Sequence, residues 1–169
     1  MKQLTHLDRQ GDATMVNIAE KEITHRLVVA TGRIHMSPEA FKMLVEDTLK
    51  KGNALGVARI AGIMAAKQTS SLIPLCHQVG LTNCSIEFSL DTGNYSIEVR
   101  CRTETRAQTG VEMEALTGVS IALLSIYDMC KSVDRTMRID DIRVIEKSGG
   151  KSGEWKFSSN MAQREPSHG

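Results

Sequence analysis

Thr109-Gly-Val-Glu-Met-Glu-Ala-Leu-Thr-Gly-Val-Ser-Ile-Ala-Leu-Leu-Ser-Ile-Tyr-Asp-Met-Cys-Lys-Ser132 is the stretch around which the chain is organised. It contains no proline and one interior glycine, Gly118, so about six helical turns are expected at 3.6 residues per turn. Thr109 followed by Glu112 has the spacing of a capping box at its start. At 100° per residue, Glu114, Thr117, Ser120, Ser125, Asp128, Lys131 and Ser132 share one stripe roughly 140° wide. The remaining positions are mostly Val, Met, Ala, Leu and Ile, which predicts a helix buried on one side with a polar hollow on the other. Asp128 and Lys131 are i, i+3 neighbours, whereas Glu114 lies about 21 Å away along the axis. One small-molecule site could use both ends only if a second copy packed antiparallel; the plainer reading is a solvated face with one surface ion pair.

Outward from this helix, residues 84 to 105 form a hairpin pattern. Ile86, Phe88 and Leu90 alternate inward, Asp91-Thr-Gly-Asn94 turns, and Tyr95, Ile97, Val99 and Cys101 alternate back. Glu87, Glu98, Arg100, Arg102 and Glu104 face the other way, as on a sheet with one wetter face. A strand is expected from Arg26 to Met36, and another from Ile139 to Glu146. Ser37-Pro38 opens a helix closed by Lys50-Lys51-Gly52, where the lysines suit the negative end of the dipole. A second helix, Asn53 to Ser71, carries Gly56 and Gly62, a costly pair that implies close approach by another backbone. Its cations Arg59 and Lys67 lie on one edge, either facing an anion or simply solvated. The order strand, helix, helix, strand, strand, helix, strand is βααββαβ. It reduces to the ferredoxin-like α+β arrangement, an antiparallel four-stranded sheet with helices on one face.

Residues 1–24 are expected to be an arm, with His6 and His25 as arm or surface histidines, residues 25–157 the ferredoxin-like domain, and 158–169 a flexible tail. Net charge is +1, which argues against bulk attraction to nucleic acid or anionic membrane, and aromatics at 4% are too few for base stacking. No apolar run approaches the roughly 18 residues of a membrane span. Cys76, Cys84, Cys101 and Cys130 form no C-x-x-C pair, so free thiols in a cytoplasmic protein are expected. His77 beside Cys76 offers proton handling, a metal ligand or a structural hydrogen bond. Lys147-Ser-Gly-Gly-Lys151-Ser-Gly falls short of a phosphate loop, since Ile145 stands where the first glycine is needed. Its backbone N–H groups could still cradle an anion.

Several blocks, in order, resemble the family of cyclic pyranopterin monophosphate synthases, the molybdenum cofactor biosynthesis protein C family. They are Leu4-Thr-His6, Lys51-Gly52, Ala58-Arg-Ile-Ala-Gly62, Ala65-Ala-Lys67, Leu72-Ile-Pro-Leu-Cys-His77, Gly110-Val-Glu-Met-Glu-Ala-Leu116, Tyr127-Asp-Met-Cys-Lys131 and Lys147-Ser-Gly-Gly150. Gln78 and Asn17 depart from that pattern, where Pro and Asp are common. The resemblance implies a hexamer, a trimer of dimers with active sites between subunits, and a lyase reaction. In it, (8S)-3′,8-cyclo-7,8-dihydroguanosine 5′-triphosphate becomes cyclic pyranopterin monophosphate with release of diphosphate. It further implies Lys131 as general acid and Asp128 as base or partner, with Leu75, Cys76, His77, Glu112, Met113 and Glu114 in the substrate pocket. Lys51, Lys67 and Lys147 are expected near the triphosphate, with Arg59 a weaker candidate. No cofactor is required, although magnesium could accompany the triphosphate. Other classes consistent with the fold are a non-catalytic nucleotide- or RNA-binding module, which would want exposed aromatics on its sheet, and a metal carrier, which would want clustered cysteines.

Overall fold

A computed structural model describes residues 10–151 and 153–158. The Leu4-Thr-His6 block and the tail from residue 159 onward lie outside them. The elements in chain order are β1 (Thr24–His35), α1 (Pro38–Val45), α2 (Ala54–Lys67), α3 (Thr69–Leu72), β2 (Leu81–Asp91), β3 (Ser96–Ala107), α4 (Glu112–Cys130), β4 (Arg138–Ser148) and β5 (Trp155–Lys156). The strands form one sheet in the order β2-β3-β1-β4-β5, with every neighbouring pair antiparallel. The four long strands and their helices make the ferredoxin-like α+β fold.

Period-two burial builds the sheet. Val28, Ala30 and Ile34 of β1 and Ile97, Val99 and Cys101 of β3 are buried in one continuous core with Val119, Ala122, Leu123 and Ile126 of α4. Gly32 interrupts the β1 pattern because a Cβ there would lie 2.7 Å from Leu123 and 2.9 Å from Val119, so its bare backbone lets α4 settle onto the sheet. The opposite face is charged. Arg33 pairs with Glu98 at 3.2 Å and Asp91 at 3.4 Å, and Arg102 and His25 both reach Glu104 at 3.0 Å. Ion pairs occupy this face where an RNA-binding sheet would carry stacking aromatics.

The helices pack through glycine. A Cβ at Gly62 of α2 would meet the Gly118 carbonyl oxygen at 2.8 Å, and one at Gly118 would meet Cys101 Sγ at 2.7 Å. Gly62 therefore permits the close approach expected of it, whereas Gly56 tucks against its own N-cap, Asn53. By length and hydropathy α4 could cross a bilayer, contrary to expectation for any stretch of this chain, but its apolar face is packed in the core.

Several boundaries differ from the sequence reading. α1 stops at Val45 because Glu46 caps it and Asp47 turns left-handed at φ 54°, so Lys50 and Lys51 do not occupy its last turn. The long second helix breaks at Gln68, and buried Thr69 starts α3 by hydrogen bonding back to the Ala65 and Ala66 carbonyls. Leu90 and Tyr95 are exposed near the hairpin tip, where Tyr95 meets the Phe41 ring of α1 edge-on at 6.0 Å between centroids. The sheet has five strands rather than four. β5 pairs Trp155 with Lys147 and Lys156 with Glu146, while Phe157 N–H donates to the Ile145 carbonyl at 2.8 Å. Arg143 stacks on the Phe157 ring at 4.5 Å, which helps hold so short a strand.

Candidate active site

The two ends of α4 carry two separate clusters. At its C-terminal end, Asp128 Oδ1 lies 2.7 Å from Lys131 Nζ and Oδ2 lies 2.8 Å from Lys51 Nζ. Lys51 also donates to the Asp128 backbone carbonyl at 2.8 Å. Two ammonium groups thus sit at the negative dipole end of this helix, and Lys51 takes one of its end carbonyls, a placement that suits cations. The dipole role expected for Lys51 in α1 is filled at α4 instead. Lys131, followed by Lys51, holds the Asp128 carboxyl down at about 2, so Asp128 is ionised beside two donors. All three side chains remain about half exposed in the single chain.

At the N-terminal end, Glu112 does not close a capping box. Val111 is the N-cap without a side-chain bond, and the Glu112 carboxylate turns instead to Lys147 Nζ at 2.5 Å. The charged partner on β4 wins over the weaker link to a backbone N–H. Glu114, one of the expected pocket residues, is buried. Its Oε1 is reached by the Cys76 thiol at 3.8 Å, while Oε2 has no hydrogen-bond partner. Burial raises the Glu114 carboxyl, and burial together with that carboxyl raises the Cys76 thiol. A buried carboxyl with an unused oxygen is costly and suited to meeting a ligand's polar group.

His77 Nε2 lies 2.7 Å from the Val16 carbonyl, and because a carbonyl only accepts, the ring nitrogen is the donor. Among the roles left open for it, the single chain shows a structural one, tying the arm to the loop after α3. Leu75 is half-buried in that loop, and Met113 is exposed on the first turn of α4. Lys67 ends α2 exposed; the Cys84 thiol is lowered chiefly by its hydrogen bond with Cys101, to which the Lys67 charge adds. Arg59 lies over the Phe88 ring at 5.5 Å, so it has a packing partner on the sheet. Within one chain, then, the expected residues divide: Lys51, Asp128 and Lys131 gather at one end, and Glu112, Glu114, Cys76 and Lys147 at the other.

Beside the Glu112–Lys147 pair is a hollow of about 1070 Å³, lined also by Lys21, Arg26, Gln108, Gly150 and Lys151. Arg26 was not singled out from the sequence. It only opens the expected strand, and the fold shows its guanidinium donating to the Ala107 and Gln108 carbonyls at the rim. The glycine run has a backbone reason. Gly149 and Gly150 adopt left-handed φ of 94° and 71°, and a side chain on them would strike the His25 backbone and the Arg26 guanidinium respectively. The four cysteines are free, and among the described residues no three His, Cys, Asp or Glu side chains converge as a metal cage would require.

The MoaC family model matches residues 15–150. The chain is 53% identical to the cyclic pyranopterin monophosphate synthase of Chloroflexus aurantiacus (strain ATCC 29366 / DSM 635 / J-10-fl) over 154 residues, which cover 91% of this chain and 94% of the relative. It is 50% identical to the enzyme of that name from Thermomicrobium roseum over 163 residues, 96% of this chain and 98% of the relative. A relative of the same name from Parvibaculum lavamentivorans is 52% identical over 155 residues, 92% of this chain and 97% of its own. The match takes in both ends of α4 and the loops that face them, and the chain belongs to the MoaC family.

Proposed function

We propose that this chain is a cyclic pyranopterin monophosphate synthase, a lyase of molybdenum cofactor biosynthesis. It converts (8S)-3′,8-cyclo-7,8-dihydroguanosine 5′-triphosphate to cyclic pyranopterin monophosphate and diphosphate. Membership of the family and the names of the relatives support the reaction. The observation that carries the chemistry is the Lys51–Asp128–Lys131 cluster, with both carboxylate oxygens in ion pairs of 2.7–2.8 Å.

Opening the purine-derived ring needs a proton delivered at one atom and removed at another. Lys131 is the donor in this reading. Asp128, ionised and fixed from its other side by Lys51, is the base or the partner that returns Lys131 to its ammonium form. Glu114 and Glu112 suit the N–H donors of the guanine-derived ring, and the unused Glu114 oxygen supports that role. Lys147 and the glycine-rich N–H groups, with Arg26 and Lys151 lining the same hollow, offset the phosphate charge, and Lys67 adds to them from the end of α2. A magnesium ion, where one takes part, would be held by phosphate oxygens rather than by a protein cage.

The separation of about 21 Å between the Glu114 and Asp128 turns means that one chain does not close this site by itself. In the proposed cytoplasmic homohexamer, a trimer of dimers, an antiparallel partner brings its Glu112–Glu114 turn to the first chain's Asp128 and Lys131. Incubation with the cyclised triphosphate should yield both the cyclic pterin and diphosphate. Lys131→Ala should lower turnover by roughly 10²–10⁴-fold with the fold unchanged. Near-normal turnover by that variant would remove Lys131 from the mechanism.

A further inference from the structure

The Lys51–Asp128–Lys131 cluster is assembled from two segments distant in sequence. Lys51 comes from the loop after α1, and Asp128 and Lys131 from the last turn of α4 and the residue that follows. A second carboxylate, away from the cluster, ties the start of α1, the helix that leads to the Lys51 loop, to the turn after α4. Asp134 is 6% exposed, in the turn after α4. Its Oδ2 accepts from the Ser37 N–H at 2.7 Å, at the residue that caps α1. Its Oδ1 accepts from both the N–H and the hydroxyl of Thr136, each at 2.7 Å. Meanwhile the Asp134 and Val133 N–H groups return to the Cys130 carbonyl at 3.1 and 2.9 Å, winding the chain tightly off the end of α4. Three donors and a buried, ionised acceptor make a stiff link, since charged acceptors give the stronger hydrogen bonds.

We infer that Asp134 is a positioning residue for this site: by clamping the start of α1 to the turn after α4, it fixes the loop of Lys51 and the turn of Lys131 around Asp128. The inference rests on the reading that this cluster performs the proton transfers. Asp134 touches neither lysine in any ion pair seen here, so its effect is exerted through the backbone it holds. Asp134→Asn keeps the shape but sets an amide N–H₂ against a donor, which opens one side of the clamp.

The test is the titration of the Asp128 carboxyl, followed by carbon-detected NMR in the full chain. In the native protein it should titrate at about 2. In Asp134→Asn it should move up toward the ordinary carboxylate range as the ammonium groups drift away. The sign is decisive: loss of the Asp134 charge acting directly through space would push Asp128 further down, because a like charge has been removed. In the same variant kcat should fall about 10–100-fold, as expected for a misplaced acid, with KM changed less than about threefold. Should that variant not fold, Thr136→Val removes a single donor and should shift Asp128 upward by less. A folded variant of either kind whose Asp128 titrates as in the native protein overturns the clamp. Because the titration is read without substrate, it can fail independently of the proposed reaction.

Discussion

At the scale of single residues, two carboxyls of α4 sit in opposite environments. Asp128 lies among cations at the surface and is held below the ordinary value of 3.8, at about 2. A depressed carboxyl contributes its stabilisation fully above the unfolded value and loses it as pH falls through the folded one, so this contribution fades only between about pH 4 and pH 2. Lys51→Ala, which removes one of the two partners, should raise the Asp128 titration, as carbon-detected NMR would show. Glu114 lies in the interior and is raised above 4.5. The folded chain then binds more protons than the unfolded one across a window that starts near pH 4.5, and stability should fall as pH rises through that window. Glu114→Gln lacks that slope. Urea melts of the ligand-free protein should show the stability of Glu114→Gln relative to the native chain rising with pH above about 4.5 and the difference shrinking in acid, because the amide is never ionised.

At the scale of elements, the contact between α2 and α4 is where glycine does what no other residue could. Gly62→Ala or Gly118→Ala would press a methyl group to within 2.8 Å of a carbonyl oxygen or 2.7 Å of a buried sulfur. Either should cost about 1–3 kcal/mol by overpacking, measured by denaturant melts. This contact was readable in the sequence because glycine in a helix interior is a cost that needs a cause. Strand periodicity likewise gave β1 to β4 to within a few residues, since burial on one face imposes alternation. What escaped was set by tertiary competition. The Thr109–Glu112 spacing is that of a capping box, yet a lysine on β4 takes the glutamate. The Lys50-Lys51-Gly52 ending looks like a helix terminus, but Asp47 turns the chain earlier and frees Lys51 to reach across to α4. β5 has two residues and no period, so only its pairing with β4 reveals it. Of the candidate site, Asp128–Lys131 was visible as an i, i+3 pair and Lys51 through the family resemblance; Arg26 and Asp134 were not, since no local pattern announces them.

At the scale of the whole molecule, α4 serves as both core and scaffold. Its apolar face is buried against the sheet while its ends present a lysine–aspartate cluster and a buried carboxyl about 21 Å apart. In the proposed assembly two antiparallel copies would bring both kinds of group to one substrate the size of a cyclised nucleoside triphosphate. This predicts that inactive variants rescue one another across subunits. Lys131→Ala and Glu114→Gln chains, each carrying a different tag, would be co-expressed, the doubly tagged assemblies isolated, and release of diphosphate from the cyclised triphosphate measured against each variant alone. With one native site re-formed per mixed dimer and about half of randomly paired dimers mixed, the doubly tagged hexamers should recover about a quarter of native turnover. Mixed assemblies as inactive as their parents, from chains that still associate, would contradict a site shared between two copies of α4.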